Sequence, residues 1–186
     1  MKNGSLESSK LKVVIVGAEN SGKTTLVRQL NPNAKSVEHI DDEGNSITVG
    51  LDIGKIELAG FNLYFFGTPG HQRFEFARKI VSHGAHIGIL MIDSLASTSN
   101  EIRKREKDLE RELIEGNIPY VICANKRDIP NVLPLSDIQG YFDADVYPIS
   151  AKNGHGVDVL RDTLVRLIES NRPVWFPSSS EELVCA

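Results

Sequence analysis

The sequence predicts an α/β fold: a mostly parallel central sheet with one antiparallel hairpin strand and helices on both faces. Apolar runs of strand length alternate with helical segments along most of the chain, and one pair of strands flanks a two-residue turn. Glycine-rich or polar segments follow several of the strands. Because ligands of such sheets bind beyond the carboxyl ends of the strands, we expect these segments to form the functional site.

The first half of the chain is predicted to contain a strand, a helix, a long loop and a hairpin. The strand is an apolar run that ends in glycine, and the helix ends at an Asn-Pro pair that cannot continue it. The loop is polar and contains the acidic run DDEGN, and the hairpin strands flank Ala59-Gly60. In chain order these elements span residues 10–17, 23–30, 31–47, 49–58 and 61–66.

The second half is predicted to alternate helices with strands. Two apolar runs have the length and composition of buried strands, and the charged segment between them carries the narrow apolar stripe of a helix that packs on one side. The last helix places a row of apolar residues on one face. The helices span 71–82, 100–116, 135–140 and 155–170, and the strands span 86–93, 118–125 and 145–149.

Length and composition predict one domain at 10–172, with a flexible segment at 1–9 and a tail at 173–186. The net charge of −4 gives no electrostatic indication of nucleic-acid binding. The two cysteines do not suggest a disulfide framework, so we expect a cytoplasmic protein. No apolar run is long enough to span a membrane and Cys185 does not fit a prenylation site, so no direct membrane anchor is expected.

The segment GAENSGKT at 17–24 matches the phosphate-binding pattern G-x-x-x-x-G-K-[ST] and lies between a predicted strand and a predicted helix. Successive backbone N–H groups of such a loop surround phosphates, Lys23 reaches the outer phosphates and the Thr24 hydroxyl binds Mg²⁺. The alternative is a glycine-rich loop without a ligand. The predicted nucleotide-binding residues here are Gly17, Ala18, Glu19, Asn20, Ser21, Gly22, Lys23, Thr24 and Thr25.

Two further segments, ANKRD at 124–128 and SAK at 150–152, each follow a predicted buried strand. A carboxylate at Asp128 can accept two hydrogen bonds from the N1–H and the exocyclic amine of guanine, a donor pair that adenine lacks. The alternative is a solvated turn in which Lys126 and Asp128 only meet water. The predicted base-binding residues are Asn125 as a brace between loops, Lys126 along the base, Asp128, Ser150, Ala151 through its N–H, and Lys152.

With these motifs in order, residues 10–170 resemble the Ras-like small GTPase superfamily, which implies the P-loop GTPase fold. The segments FGTPGHQRF and TVGLDIGKI are similar to FGTPGQERF and TVALDFG of bacterial and archaeal small GTPases, and GAENSGKTT is similar to the Arf-type GLDNAGKTT. Most superfamily members carry a magnesium-holding Asp where this chain has Gly67. The bacterial and archaeal branch usually has glycine there, and we therefore expect a weaker dependence on Mg²⁺.

The resemblance also implies roles for residues outside the two nucleotide motifs. Thr48 would bind Mg²⁺ in the GTP state, unless it is only the start of a strand. Gly70 would sense the outer phosphate through its N–H, and His71 takes the place of the glutamine that orients the attacking water. Asp93 either helps to hold the metal through water or caps the end of its strand. The implied catalytic residues are thus Lys23, Gly70 and His71, and the implied metal ligands are Thr24 and Thr48.

The resemblance implies a molecular switch that cycles between GTP and GDP, with slow intrinsic hydrolysis that a partner stimulates. The implied partners are an exchange factor, an activating protein, an effector and a roadblock-type regulator, which would bind through residues 31–50 and 67–80. Within that surface Phe76 is expected in the core and Phe74 at the partner contact. One alternative is a guanine-nucleotide scaffold with negligible hydrolysis. The other is an ATP-dependent P-loop enzyme, and the guanine motifs argue against it.

Overall fold

The computed structural model describes residues 9–35, 38–40, 46–48, 51–95 and 99–175. Its strands are β1 (Lys10–Gly17), β2 (Glu38–Ile40), β3 (Ser46–Thr48), β4 (Asp52–Leu58), β5 (Phe61–Gly67), β6 (Ile87–Asp93), β7 (Tyr120–Asn125) and β8 (Val146–Pro148). Its α-helices are α1 (Lys23–Leu30), α2 (Glu75–Ser82), α3 (Asn100–Glu115), α4 (Leu135–Gln139) and α5 (Val157–Trp175), and a 3₁₀ turn at Gln72–Phe74 precedes α2.

The central sheet has six strands in the order β4-β5-β1-β6-β7-β8. β4 pairs antiparallel with β5, whereas every other neighbouring pair is parallel. Parallel pairing of β1, β6 and β7 buries both of their faces, which explains why their sequences are almost continuously apolar. The predicted sheet, with one antiparallel hairpin strand, is confirmed.

The core consists of two clusters, one on each face of the sheet. Val13 and Ile15 of β1 face the cluster that contains α1 and α5, and Val14 and Val16 face the cluster that contains α3. Alternate residues of one strand therefore hold helices on opposite faces, as the period of two in a strand requires. Among the described residues no helix is both long enough and apolar enough to cross a bilayer.

The hairpin between β4 and β5 has its register fixed by the predicted two-residue turn. Ala59 and Gly60 have φ angles of 52° and 77°, the left-handed pair that a type I′ turn needs. The register then pairs Asp52 with Gly67 at the far end of the hairpin. This pairing brings an acidic residue of β4 to the edge of the sheet where β5 ends.

The structure differs from the sequence prediction at two places in the fold. The predicted loop at 31–47 contains β2, which pairs antiparallel with β3 in a separate two-stranded sheet; its acidic run at 41–45 lies outside the described residues. The last helix is described through Trp175 and does not end near residue 170, so it runs past residue 173, where the predicted tail begins. Its extra turn is stabilised because Trp175 packs on the core and meets the ring of His86 edge-on, with 5.4 Å between ring centroids.

Candidate nucleotide-binding site

A cleft of about 410 Å³ is lined by the segments that follow β1, β5, β7 and β8, at the carboxyl edge of the sheet. The predicted residues that line it are Glu19, Asn20, Gly22, Lys23, Thr24, Thr25, Gly70, His71, Asn125, Lys126, Asp128 and Lys152, and Arg28 and Ile129 also contribute. The predicted Gly17, Ala18, Ser21, Ser150 and Ala151 are buried and do not line the cleft. The motifs that the sequence analysis singled out are thus brought to one place.

The loop between β1 and α1 has room only for glycine at two positions. Gly22 has a φ of 96°, and a Cβ there would collide with Nδ2 of Asn125. A Cβ at Gly17 would lie 2.6 Å from the carbonyl oxygen of Met91 on β6. These contacts hold the loop against the neighbouring strands, and its backbone can therefore curve around an anion.

Lys23 lies at the bottom of this loop and is almost completely buried. Its ammonium donates to the carbonyl oxygens of Gly17 and Ala18, at 3.0 and 2.7 Å. Burial lowers the pKa of Lys23 to about 7, although the charge of Asp52 acts in the opposite direction. Because burial makes the charged form of Lys23 costly, a phosphate anion nearby would strongly stabilise that form.

Asn125 joins the phosphate loop to the two base loops. Its Nδ2 donates to the carbonyl oxygen of Ser21 at 2.8 Å, and its Oδ1 accepts the N–H of Ala151 at 2.9 Å. In this structure that N–H, predicted to meet the guanine oxygen, is therefore directed at Asn125. The side chain at 125 acts as the brace that the sequence analysis expected.

Asp128 faces the cleft next to the loop after β8. Its Oδ1 accepts a hydrogen bond of 2.7 Å from the hydroxyl of Ser150. This hydrogen bond lowers the pKa of Asp128, so the carboxyl group is ionised and acts only as an acceptor. An ionised carboxylate in this position suits a ligand with two adjacent donors.

Asp52 is a site residue that the sequence analysis missed. Its side chain is buried, and its Oδ2 accepts a hydrogen bond of 2.6 Å from Oγ1 of Thr24. A Cβ on Gly67 would lie 2.8 Å from the same oxygen, so the carboxylate of Asp52 occupies the space beside position 67. The signal in the sequence was the two-residue turn at 59–60, which places residue 52 opposite residue 67.

The segment after β5 lies directly on the phosphate-binding loop. A Cβ on Gly70 would be 2.7 Å from the backbone nitrogen of Glu19 and 2.8 Å from Nζ of Lys23. The next residue, His71, places its Nε2 3.1 Å from Oε2 of Glu19, and both side chains are partly exposed. His71 therefore faces the cleft and is held by an acidic residue of the loop.

Comparison with known proteins decides the family. A family model described as 50S ribosome-binding GTPase matches residues 12–126, which is more than half of the chain. The chain belongs to this GTPase family. As a P-loop GTPase it binds guanine nucleotides, and GTP hydrolysis is the general activity of the family.

The chain is also similar to individual proteins. An uncharacterized protein of Methanocaldococcus jannaschii is 32% identical over 127 residues, which cover 68% of this chain and 77% of the relative. ADP-ribosylation factor-like protein 6 of Caenorhabditis elegans is 27% identical over 146 residues, 76% of this chain and 74% of the relative. The structure of elongation factor SelB from Methanococcus maripaludis with the GTP analogue GppNHp shares the fold, with a TM-score of 0.66 at 20% identity. That similarity covers 87% of this chain and 34% of SelB.

A GTPase of this kind usually uses Mg²⁺, and the residues around Thr24 fit that ion. Mg²⁺ prefers hard oxygen ligands and is bound by one or two protein side chains together with substrate phosphates. The hydroxyl of Thr24 and the carboxylate of Asp52 provide two such oxygen ligands next to each other. Within the described ranges no three His, Cys, Asp or Glu side chains group around a metal position. Of the predicted ligand Thr48, the structure describes the backbone in β3 but not the side chain.

The prediction for Phe76 is wrong. Phe76 is 77% exposed and Ile80, four residues later on the same face of α2, is 58% exposed. The opposite face is held by Arg78, which is buried and forms two hydrogen bonds of 3.0 Å with Glu112 of α3. Because two residues along a helix are separated by about 200°, the burial of Arg78 turns Phe76 outward. Phe74 is half-buried beneath the guanidinium of Arg73.

Proposed function

We propose that this GTPase is a molecular switch that cycles between GTP and GDP and hydrolyses GTP slowly until a partner stimulates it. The observation that carries the proposal is the contact between Gly70 and the backbone of Glu19. A segment that lies on the phosphate-binding loop must respond when an outer phosphate enters the loop. Two arrangements of such a segment, selected by the presence of that phosphate, constitute a switch.

Hydrolysis in this proposal relies on charge stabilisation by the loop and on orientation of water. Lys23 and the backbone N–H groups at 17–24 stabilise the charge that develops on the outer phosphate, and Gly70 adds its N–H. His71 orients the attacking water from its place at the edge of the cleft. Mg²⁺, when bound, neutralises phosphate charge, and Thr24, Asp52 and Thr48 would hold it.

Slow intrinsic turnover is supported by the pair of Glu19 and His71. At 3.1 Å the carboxylate competes with water for the imidazole, so His71 must leave Glu19 before it can orient a nucleophile. A partner that reorders the segment at 67–80 would release it. This pair equally supports a second candidate function, a guanine-nucleotide scaffold in which His71 stays bound and hydrolysis is negligible.

Partner binding is supported by the apolar surface of α2. Phe76 and Ile80 form an exposed apolar pair next to the segment that contacts the phosphate loop. Contiguous exposed apolar surface marks contact sites more often than scattered single residues do. We propose that exchange factors, activating proteins, effectors and a roadblock-type regulator contact residues 31–50 and 67–80, and that the protein works in the cytoplasm.

Single-turnover phosphate release separates the two candidate functions. Purified protein loaded with GTP is followed with and without cell extract, alongside the variants His71→Ala and His83→Ala. A switch predicts slow release that the extract accelerates, loss of the acceleration in His71→Ala, and wild-type behaviour of His83→Ala, an exposed histidine outside the cleft. Release that never exceeds the protein-free rate would leave the scaffold as the function.

A further inference from the structure

We infer that Asp93 is a positioning residue for the guanine base, because it anchors the side chain of Lys126 as one wall of the base cleft. The inference rests on guanine-nucleotide binding at the cleft and adds a residue that does not line it. Lys126 and Asp128 line the cleft, whereas Asp93 lies behind it at the end of β6.

The sheet brings Asp93 and Lys126 together. In the parallel pairing of β6 with β7, Asp93 is opposite Asn125, the residue before Lys126. Lys126 has a φ of 66°, a left-handed conformation that is costly for a residue with a Cβ. A conformation of this kind persists where the surroundings impose it.

The contact between the two side chains is short and mostly shielded from water. Nζ of Lys126 donates to Oδ2 of Asp93 at 2.6 Å, and their side chains are 25% and 7% exposed. The other carboxylate oxygen accepts the backbone N–H of Leu95 at 3.0 Å. One carboxylate oxygen of Asp93 therefore binds the loop after β6, and the other binds Lys126 of the base loop.

This arrangement fixes a long flexible side chain before the ligand arrives. A free lysine loses up to about 2 kcal/mol of rotamer entropy when it is ordered. With its ammonium anchored, the side chain of Lys126 is already held in place, and less of that cost falls on nucleotide binding. Asparagine at 93 could not replace the carboxylate, because its oxygen would cap Leu95 and its NH₂ group would then face the ammonium.

The first test compares Asp93→Asn with Asp108→Asn, a matched control whose carboxylate pairs with Arg111 on the exposed side of α3. Dissociation constants for GDP, GTP and inosine diphosphate are measured by competition with a fluorescent GDP analogue. We expect Asp93→Asn to weaken GDP and GTP about tenfold and equally, since the cost of ordering the Lys126 side chain then falls on the binding of either nucleotide. The preference for GDP over inosine diphosphate stays unchanged because Asp128 is intact, and Asp108→Asn behaves as wild type.

The second test asks whether Asp93 acts through Lys126 or only through the cap on Leu95. Lys126→Met keeps the apolar stem and removes the anchor, and we expect about tenfold weaker GDP binding from it alone. Adding Asp93→Asn to Lys126→Met should cause no further loss. If Asp93→Asn weakens binding by the same factor in both backgrounds, or if neither single variant weakens it, the inference is wrong. Should Asp93→Asn not fold, Asp93→Ser, whose hydroxyl can still accept a hydrogen bond from the N–H of Leu95, takes its place in both backgrounds.

Failure of the underlying function gives a different result. In that case wild-type protein shows no saturable binding of the fluorescent GDP analogue, and the anchoring of Lys126 has no base to position. Wild-type preference for GDP together with unaltered Asp93→Asn affinity would instead overturn only the inference.

Discussion

Replacing Asp52 by asparagine is expected to raise the Mg²⁺ concentration that retains GDP. The carboxylate is buried and accepts a 2.6 Å hydrogen bond from Thr24, the predicted metal ligand. A hydrogen bond to a buried charged group contributes about 1.5–3 kcal/mol. Since about 1.4 kcal/mol corresponds to a factor of ten, the Mg²⁺ midpoint should rise roughly 10- to 100-fold.

The midpoint is measured as the rate of release of a fluorescent GDP analogue over a Mg²⁺ titration, with Asp108→Asn as the exposed control. A midpoint equal to that of wild type in Asp52→Asn would refute the role of this carboxylate. We therefore propose that the dependence on Mg²⁺ is stronger than Gly67 alone suggested, because the carboxylate of Asp52 reaches the same space from the paired strand.

A swap of the two positions provides a stricter test. Gly67→Asp alone would place a Cβ 2.8 Å from Oδ2 of Asp52 and bring two carboxylates together, so we expect a lower unfolding free energy. In the double variant Asp52→Gly/Gly67→Asp the contact disappears, and the Mg²⁺ midpoint should return toward the wild-type value. A double variant with the same Mg²⁺ midpoint as Asp52→Asn would contradict the idea that a carboxylate can support Mg²⁺ binding from either strand.

Three other outcomes follow from single contacts. Glu19→Gln should release His71 and speed single-turnover GTP hydrolysis by at most about fivefold, the limit for a partly exposed side-chain contact; unchanged rates would contradict this. Burial and the nearby Lys12 charge lower the pKa of His86 below its ordinary value of 6.5. The contribution of neutral His86 to the free energy of unfolding is therefore present above pH 6.5 and is lost as the pH falls and the imidazole is protonated. Trp175, the only tryptophan, should report this as a fluorescence change that His86→Gln abolishes. Phe76→Ser should leave the unfolding free energy within about 0.5 kcal/mol and reduce capture of GTP-state partners.

Most of the fold was predictable from the sequence because buried strands and tight turns each have a local sequence pattern. Apolar runs predicted β1, β6 and β7, and Ala59-Gly60 predicted the hairpin turn. The end of α5 was missed because Trp175 is held by a contact with His86. The pairing of β2 with β3 was missed because both strands have only three residues and no alternating pattern stands out.

The site was predictable to the extent that its residues sit in contiguous motifs. GAENSGKT, ANKRD and SAK identified the residues of the cleft, since each motif forms a single loop. Asp52 lies in the quoted segment TVGLDIGKI but in none of these loops, and its role depends on a hairpin register that was available but was not used. The contacts of Glu19 with His71 and of Asp93 with Lys126 join distant loops, and only the packed sheet shows them.

The exposed position of Phe76 illustrates a further limit. The eight-residue helix α2 packs through the face that carries Arg78, because Arg78 pairs with Glu112 of α3. An arginine that is buried by a carboxylate on another helix has no local signature in the sequence. Hydrophobicity alone therefore assigned the wrong face of α2 to the core.

Calorimetric titration with GDP and ADP, for wild type and Asp128→Asn, tests most directly whether one carboxylate selects the purine. We expect wild type to bind GDP on the order of a thousandfold more tightly than ADP, because adenine lacks the donor pair for the ionised carboxylate. In Asp128→Asn most of that preference should disappear. Equal affinity of wild type for the two nucleotides, or an intact preference without the carboxylate, would contradict the account.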